Sequence, residues 1–187
     1  MRIAIIGWGS LIWDPRELPK VGDWQADGPE LPVEFSRISL DKRLTLVIDP
    51  INGTLVRTLH VLSPRTSLDD AQKDLRVREG TNKDNLGWVN VVNKMSSREA
   101  HLRQENIIGI IMKWCQEHEY SAAVWTALPS NFKAKFFKDF SVETAMEYLA
   151  GLSKQELEKA LEYIRRAPAC VDTPVRMETE KQFGRQK

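Results

Sequence analysis

Two stretches of the chain carry residue types and spacings that chemistry can use. The first is Gly7-Trp8-Gly9-Ser10-Leu11-Ile12-Trp13, which follows the β-branched run Ile3–Ile6. Small residues after a buried strand let the backbone turn tightly and present several N–H groups, a concavity suited to carboxylates and oxyanions. A plain strand-ending turn has the same composition. The second is Leu75-Arg76-Val77-Arg78-Glu79-Gly80, where Glu79 falls in the last turn of an expected helix stopped by Gly80. The negative end of a helix macrodipole disfavours the charged form of a carboxyl group, which suits a proton-transfer role. A glutamate in such a charged run is also an ordinary solvated residue, and the residues alone leave both readings open.

The glycine spacing does not make a dinucleotide site. That fingerprint needs a third small residue three places after Gly9, where Ile12 stands, and a helix starting there, which Trp13-Asp14-Pro15 forbids. Asp23, Asp27 and Glu30 all lie in Pro/Gly-rich text, so no strand-end acid follows to hold a ribose. No Gly-Lys-Ser/Thr makes a phosphate loop, and no Gly-x-Ser-x-Gly makes Ser10 a nucleophile.

Gly7-Trp8-Gly9-Ser10-Leu11-Ile12-Trp13 resembles the Tyr-Gly-Ser-Leu/Asn signature of the gamma-glutamylcyclotransferase-like family, in the longer form ending Leu-Ile-Trp that its glutathione-specific branch carries. Leu75–Gly80 resembles the segment of that family whose glutamate, followed by glycine, is the catalytic acid/base. The resemblance spans about Ile3 to Leu128. It implies a small closed β-barrel or strongly curved sheet with helices outside, where composition and pattern show only α+β. It also implies intramolecular aminolysis of a gamma-glutamyl compound to 5-oxoproline, with Glu79 moving protons. Trp8, Gly9, Ser10 and Leu11 would then form the substrate cradle. This chemistry requires no cofactor and no metal. Trp8 replaces the family's tyrosine, which removes a phenolic hydroxyl and enlarges the ring. A non-catalytic small-molecule-binding or interaction protein that keeps the pocket is the alternative.

Other candidates point to structure rather than chemistry. His60, His101 and His118 belong to no ligand motif, and Cys115 with His118 offers two helix-spaced donors without a second pair. Phe132, Phe136, Phe137 and Phe140 alternate with Lys133, Lys135 and Lys138, a pattern of either a single-strand stacking platform or an amphipathic cover for the core. Trp13, Trp88 and Trp125 stand at expected strand ends, where they could wall a pocket or simply fill the core.

The 187 residues carry 27 Lys plus Arg against 26 Asp plus Glu, a net charge of +1, which gives no reason to expect a nucleic-acid or membrane partner. Two cysteines far apart fit free thiols in a reducing compartment, and a cytoplasmic location is expected. No apolar run approaches the ~20 residues of a membrane helix. The N-terminal run reads as a first strand rather than a leader, because Asp14-Pro15 follows where a cleavage site would stand.

The elements that must position these residues are a strand at 2–7, turn-rich text to Pro32, and an antiparallel meander of Val33–Leu40, 44–48 and Thr54–Leu62. A capped helix from Ser67, a strand at Trp88–Val92 and a long helix over Ser97–Glu117 follow. The long helix carries a stripe of Leu102, Ile107, Ile108, Ile111, Met112 and Cys115. A strand at Ala122–Leu128 and helices Ser141–Ala150 and Ser153–Arg166 come next, the second with a Ser153/Glu156 capping box. The last twenty residues carry little apolar content and are expected to be irregular. A family-like domain over 1–130 and a C-terminal helical extension over 131–187 complete the expectation.

Overall fold

A computed structural model describes residues 1–184, and the side chains of all of these except 98, 99 and 101–105, so Leu102 and His101 lie outside the described side chains. The fold is mixed α+β. A six-stranded sheet has the order β2-β6-β1-β9-β7-β8, built from Val21–Gln25, Leu59–Leu62, Ile3–Gly7, Ala122–Thr126, Leu86–Asn90 and Met95–Ser96 respectively. A second, three-stranded sheet has the order β4-β3-β5, from Leu44–Ile48, Glu30–Ile38 and Thr54–Arg57. The pairings give the six strands two ends, β2 and β8, and no ring of hydrogen bonds joins them among the described residues. The chain divides into two compact units, Met1–Leu31 with Arg57–Leu128, and Pro32–Val56 with the chain from Pro129 onward. The stretch 32–56 thus clusters with the C-terminal helices.

In the first unit β1 is parallel to β9 and antiparallel to β6, and every residue of β1 is buried. Adjacent residues of a strand face opposite ways. On β6, Val61 joins Ile3, Ile5, Leu75 and Val124 in the core beneath α1 (Leu68–Glu79), while His60 packs on Trp114 of α2 (Arg98–Glu117). The two helices thus cover the two faces, which is why a strand with no polar residue, Ile3–Gly7, is stable at the centre. Helix α1 starts where the sequence predicts, with Ser67 Oγ accepting the Asp70 N–H, and stops at Gly80 in the left-handed conformation (φ 59°). No described helix is long and apolar enough to cross a membrane.

Three expectations are corrected. The expected third meander strand, Thr54–Leu62, is two strands in two sheets. It breaks at Thr58, whose N–H and Oγ1–H both go to the Pro29 carbonyl. Consequently β3, rather than β4, is the central strand of the smaller sheet. The turn-rich stretch before Pro32 contains β2, an edge strand almost wholly exposed and so lacking any alternation to read. The stretch expected to be irregular contains a helix: Thr173 caps α6 (Pro174–Phe183), with Pro174 in its first turn.

In the second unit, α3 (Phe132–Phe136), α4 (Val142–Ala150) and α5 (Lys154–Arg166) precede α6. Glu34 of β3, 1% exposed, receives Thr173 Oγ1–H at 2.6 Å and the N–H groups of Phe35 and Val175 at 2.7 and 3.4 Å. Burial nevertheless pushes its carboxyl above the ordinary 4.5. A carboxyl raised in the folded state contributes stability that is full below the unfolded value and is lost as pH rises through the folded one. Comparing the melting temperature of Glu34→Gln with that of the native chain from pH 4 upward will show the native chain losing its relative advantage as the pH rises.

Gly87 on β7 lies opposite Trp125 on β9, and a Cβ there would meet the indole at 2.1 Å. Trp125 is fully buried and has no room to yield. Gly87→Ala is expected to destabilise the chain by about 2 kcal/mol or more, read by urea unfolding.

Candidate functional site

The expected apolar face of α1 holds Ala71 and Leu75, both fully buried, and the same helical spacing continues to Arg78. Its guanidinium is carried down onto the Gly7–Trp13 turn. The Arg78 side chain is only 4% exposed and donates from Nη1 to Glu79 Oε1 at 2.7 Å. From Nη2 it donates to the Asp14 carbonyl at 2.6 Å and to Ser10 Oγ at 3.3 Å. Arg16 Nη1 donates back to the Arg78 carbonyl at 3.2 Å, a cation on the exposed end of α1. The two motifs, 68 residues apart between Ser10 and Arg78, therefore meet through one buried cation.

The turn has its own internal order. The Ile12 N–H donates to the Gly9 carbonyl and the Asp14 N–H to the Ser10 carbonyl, at 2.9 and 2.8 Å. The N–H groups of Gly9, Ser10 and Leu11 donate to no partner among the described residues, the state expected of an anion cradle. Trp8 and Leu11 are 4% and 5% exposed, and Leu11 belongs to the core with Ile3, Ile5 and Leu75. What these two can offer a ligand is backbone. Ser10 is half-buried and keeps its hydroxyl at the surface of the turn beside Arg78.

Glu79 is 15% exposed on its side chain, neither solvated nor sealed. Oε1 is held by Arg78, and Oε2 takes no bond among the described residues. Arginine cannot shed its proton, so a buried Arg78 requires a counter-charge, and the adjacent carboxylate is it.

Arg78 is the site residue that the sequence reading missed. It stands in a run of charges that looks solvated, but it lies at i+7 from Ala71 and i+3 from Leu75, on the helix face already read as buried. The other candidates behave structurally. Trp125 is core, and Trp88 is half-buried against the Ile3–Leu75 cluster. Cys115 is buried, and desolvation pushes its thiol up to about 12. In the second unit, Phe132 is buried and packs edge-to-face with Phe136 and Phe140, while Lys133 and Lys138 pair with Asp139 and Glu147. The aromatic/lysine segment therefore spends most of its rings on one another.

Comparison with protein-family models, curated proteins and solved structures finds no match to this chain.

Replacing Arg78 by Met strands the Asp14 carbonyl and the Glu79 carboxylate together, and is expected to cost about 3 kcal/mol in denaturant unfolding. Arg78→Lys restores only part, because a point charge cannot reach three acceptors at once. Adding Glu79→Gln to Arg78→Met should cost less than the sum of the two single changes.

Proposed function

We propose that the chain is a gamma-glutamyl cyclotransferase-type enzyme that converts a gamma-glutamyl compound to 5-oxoproline and a free amine. The observation that carries the reading is the Ser10–Arg78–Glu79 contact, which joins the anion-cradle turn to a carboxylate with one oxygen fixed and one open. The substrate's free α-amino group attacks its own γ-carbonyl. One C–N bond forms, closing a five-membered ring, and the γ-amide C–N bond breaks. Because both reacting groups belong to one molecule, the protein's task is to hold a bent conformer and move protons. Glu79 takes the proton from the attacking amine and delivers it to the leaving nitrogen. The amides of Gly9, Ser10 and Leu11, with the Ser10 hydroxyl, bind the substrate's carboxylate or the developing oxyanion. Arg78 touches neither bond in this scheme and acts by aiming Glu79.

The family's barrel belongs to the same reading, with the six-stranded sheet supplying its strands. So does a cytoplasmic setting, in which Cys115 and Cys170 stay free.

The test is incubation with glutathione, gamma-glutamyl amino acids and gamma-glutamylamines, scoring 5-oxoproline. Turnover of one class is expected, with Glu79→Gln lowering it at least about a thousandfold while the melting curve stays cooperative. Ligand binding without 5-oxoproline, unchanged in Glu79→Gln, would replace the enzyme by a binding protein that keeps the pocket.

A further inference from the structure

Asp69, Gln72, Lys73 and Arg76 stand at i, i+3, i+4 and i+7 on α1 and so share one face of that helix. With Lys83, from the short turn Lys83–Asn85 that follows, and Leu86 of β7, they line a cavity of about 220 Å³. Leu86 is 1% exposed and belongs to the core, so it gives the cavity an apolar floor. Three cations against one acid leave the lining with a net charge of +2.

The cations are uncompensated. Arg65 is bound by Asp74 of the same helix, but Lys73, Arg76 and Lys83 make no ion pair among the described residues. Like charges one turn apart on a helix repel, so Lys73 and Arg76 work against α1 unless something negative lies between them. Gln72 is an independent sign. It is only 6% exposed, it lines the cavity, and its amide has no hydrogen-bond partner among the described residues. Burying an amide without a partner is costly, and a leucine beside Ala71 and Leu75 would carry no such cost. An amide with two N–H donors and a carbonyl at a cavity wall calls for a polar occupant.

We propose that this cavity binds a small phosphomonoester, its phosphoryl group held by Lys73, Arg76, Lys83 and the Gln72 amide, and its carbon stem resting on Leu86. A phosphomonoester at neutral pH carries nearly two negative charges and three acceptor oxygens, which matches both the net charge and the number of cations. Arg76 can grip two oxygens at once, and each lysine serves as a point charge. Asp69 accepts from a hydroxyl on the stem. The volume falls below the ~300 Å³ at which sites for drug-sized ligands begin, so a short stem fits and a nucleoside does not. A carboxylate, with one charge and two oxygens, leaves a cation unmatched.

Calorimetric titration of the whole chain with glycerol 3-phosphate tests the site. Inorganic phosphate, sulfate, acetate and a short single-stranded oligonucleotide form separate arms at equal ionic strength. Binding of glycerol 3-phosphate near about 0.5 mM is expected, with phosphate and sulfate several-fold weaker for want of the stem, and acetate without heat. Gln72→Leu should lose about tenfold in affinity while its melting temperature equals or exceeds that of the native chain. Lys83→Gln, in an exposed turn, should also lose about tenfold, and it carries the test should Gln72→Leu fail to fold. No heat at about 10 mM glycerol 3-phosphate, or unchanged affinity in the folded variants, would overturn the proposal. Sulfate binding as tightly as the ester would reduce the site to an adventitious ion only, and tighter binding of the oligonucleotide would replace the small ester by a nucleic acid. None of these outcomes bears on 5-oxoproline release at Glu79.

Discussion

A guanidinium that cannot lose its charge sits almost wholly out of water at the end of α1, and the architecture around the first loop follows from accommodating it. Arg78 is tolerated because Glu79 supplies the opposite charge, Asp14 a carbonyl and Ser10 a hydroxyl. Those same bonds fix the turn after β1 against the helix end. A neutral residue at this position would leave the turn free to move away from the carboxylate. Electrostatic necessity fixes these contacts, and the role proposed for Glu79 depends on them.

The sheet makes the contact reproducible. Every residue of β1 is buried, and its neighbours β6 and β9 leave it no freedom to shift register, so the loop starts from a fixed point. Helix α1 is set by the face that covers Ile3, Ile5 and Val124, and by caps at both ends. Opposite faces of β6 send Val61 to that helix and His60 to the other, so one four-residue strand anchors both helices.

Much of this was legible from residue order. The capping signals at Ser67 and Ser153 each mark a real helix start, because a side-chain oxygen there meets an orphan N–H, and Ser141, read only as a helix start, caps in the same way. The run Thr54–Leu62 reads as one strand because nothing local announces that Thr58 will bond to Pro29. β2 carries no pattern because almost none of it is buried. α6 hides because only Val175 and Thr179 are buried on it, although Thr173-Pro174 is a recognisable start. Of the candidate site, the turn and the glutamate were visible by type. The arginine between them was not, since its charge masks a position that the spacing of Ala71 and Leu75 marks as interior.

The bond between Glu34 and Thr173 joins β3 to a residue 139 positions later. On a ribosome, β3 emerges with its carboxylate bare and must wait through that whole separation before its hydroxyl partner arrives. The larger sheet is complete once β9 has been made, so synthesis from the N-terminus favours that unit maturing first. The smaller sheet can complete this contact only after Thr173 and α6 have left the exit tunnel, so its strands find their partners later than those of the larger sheet.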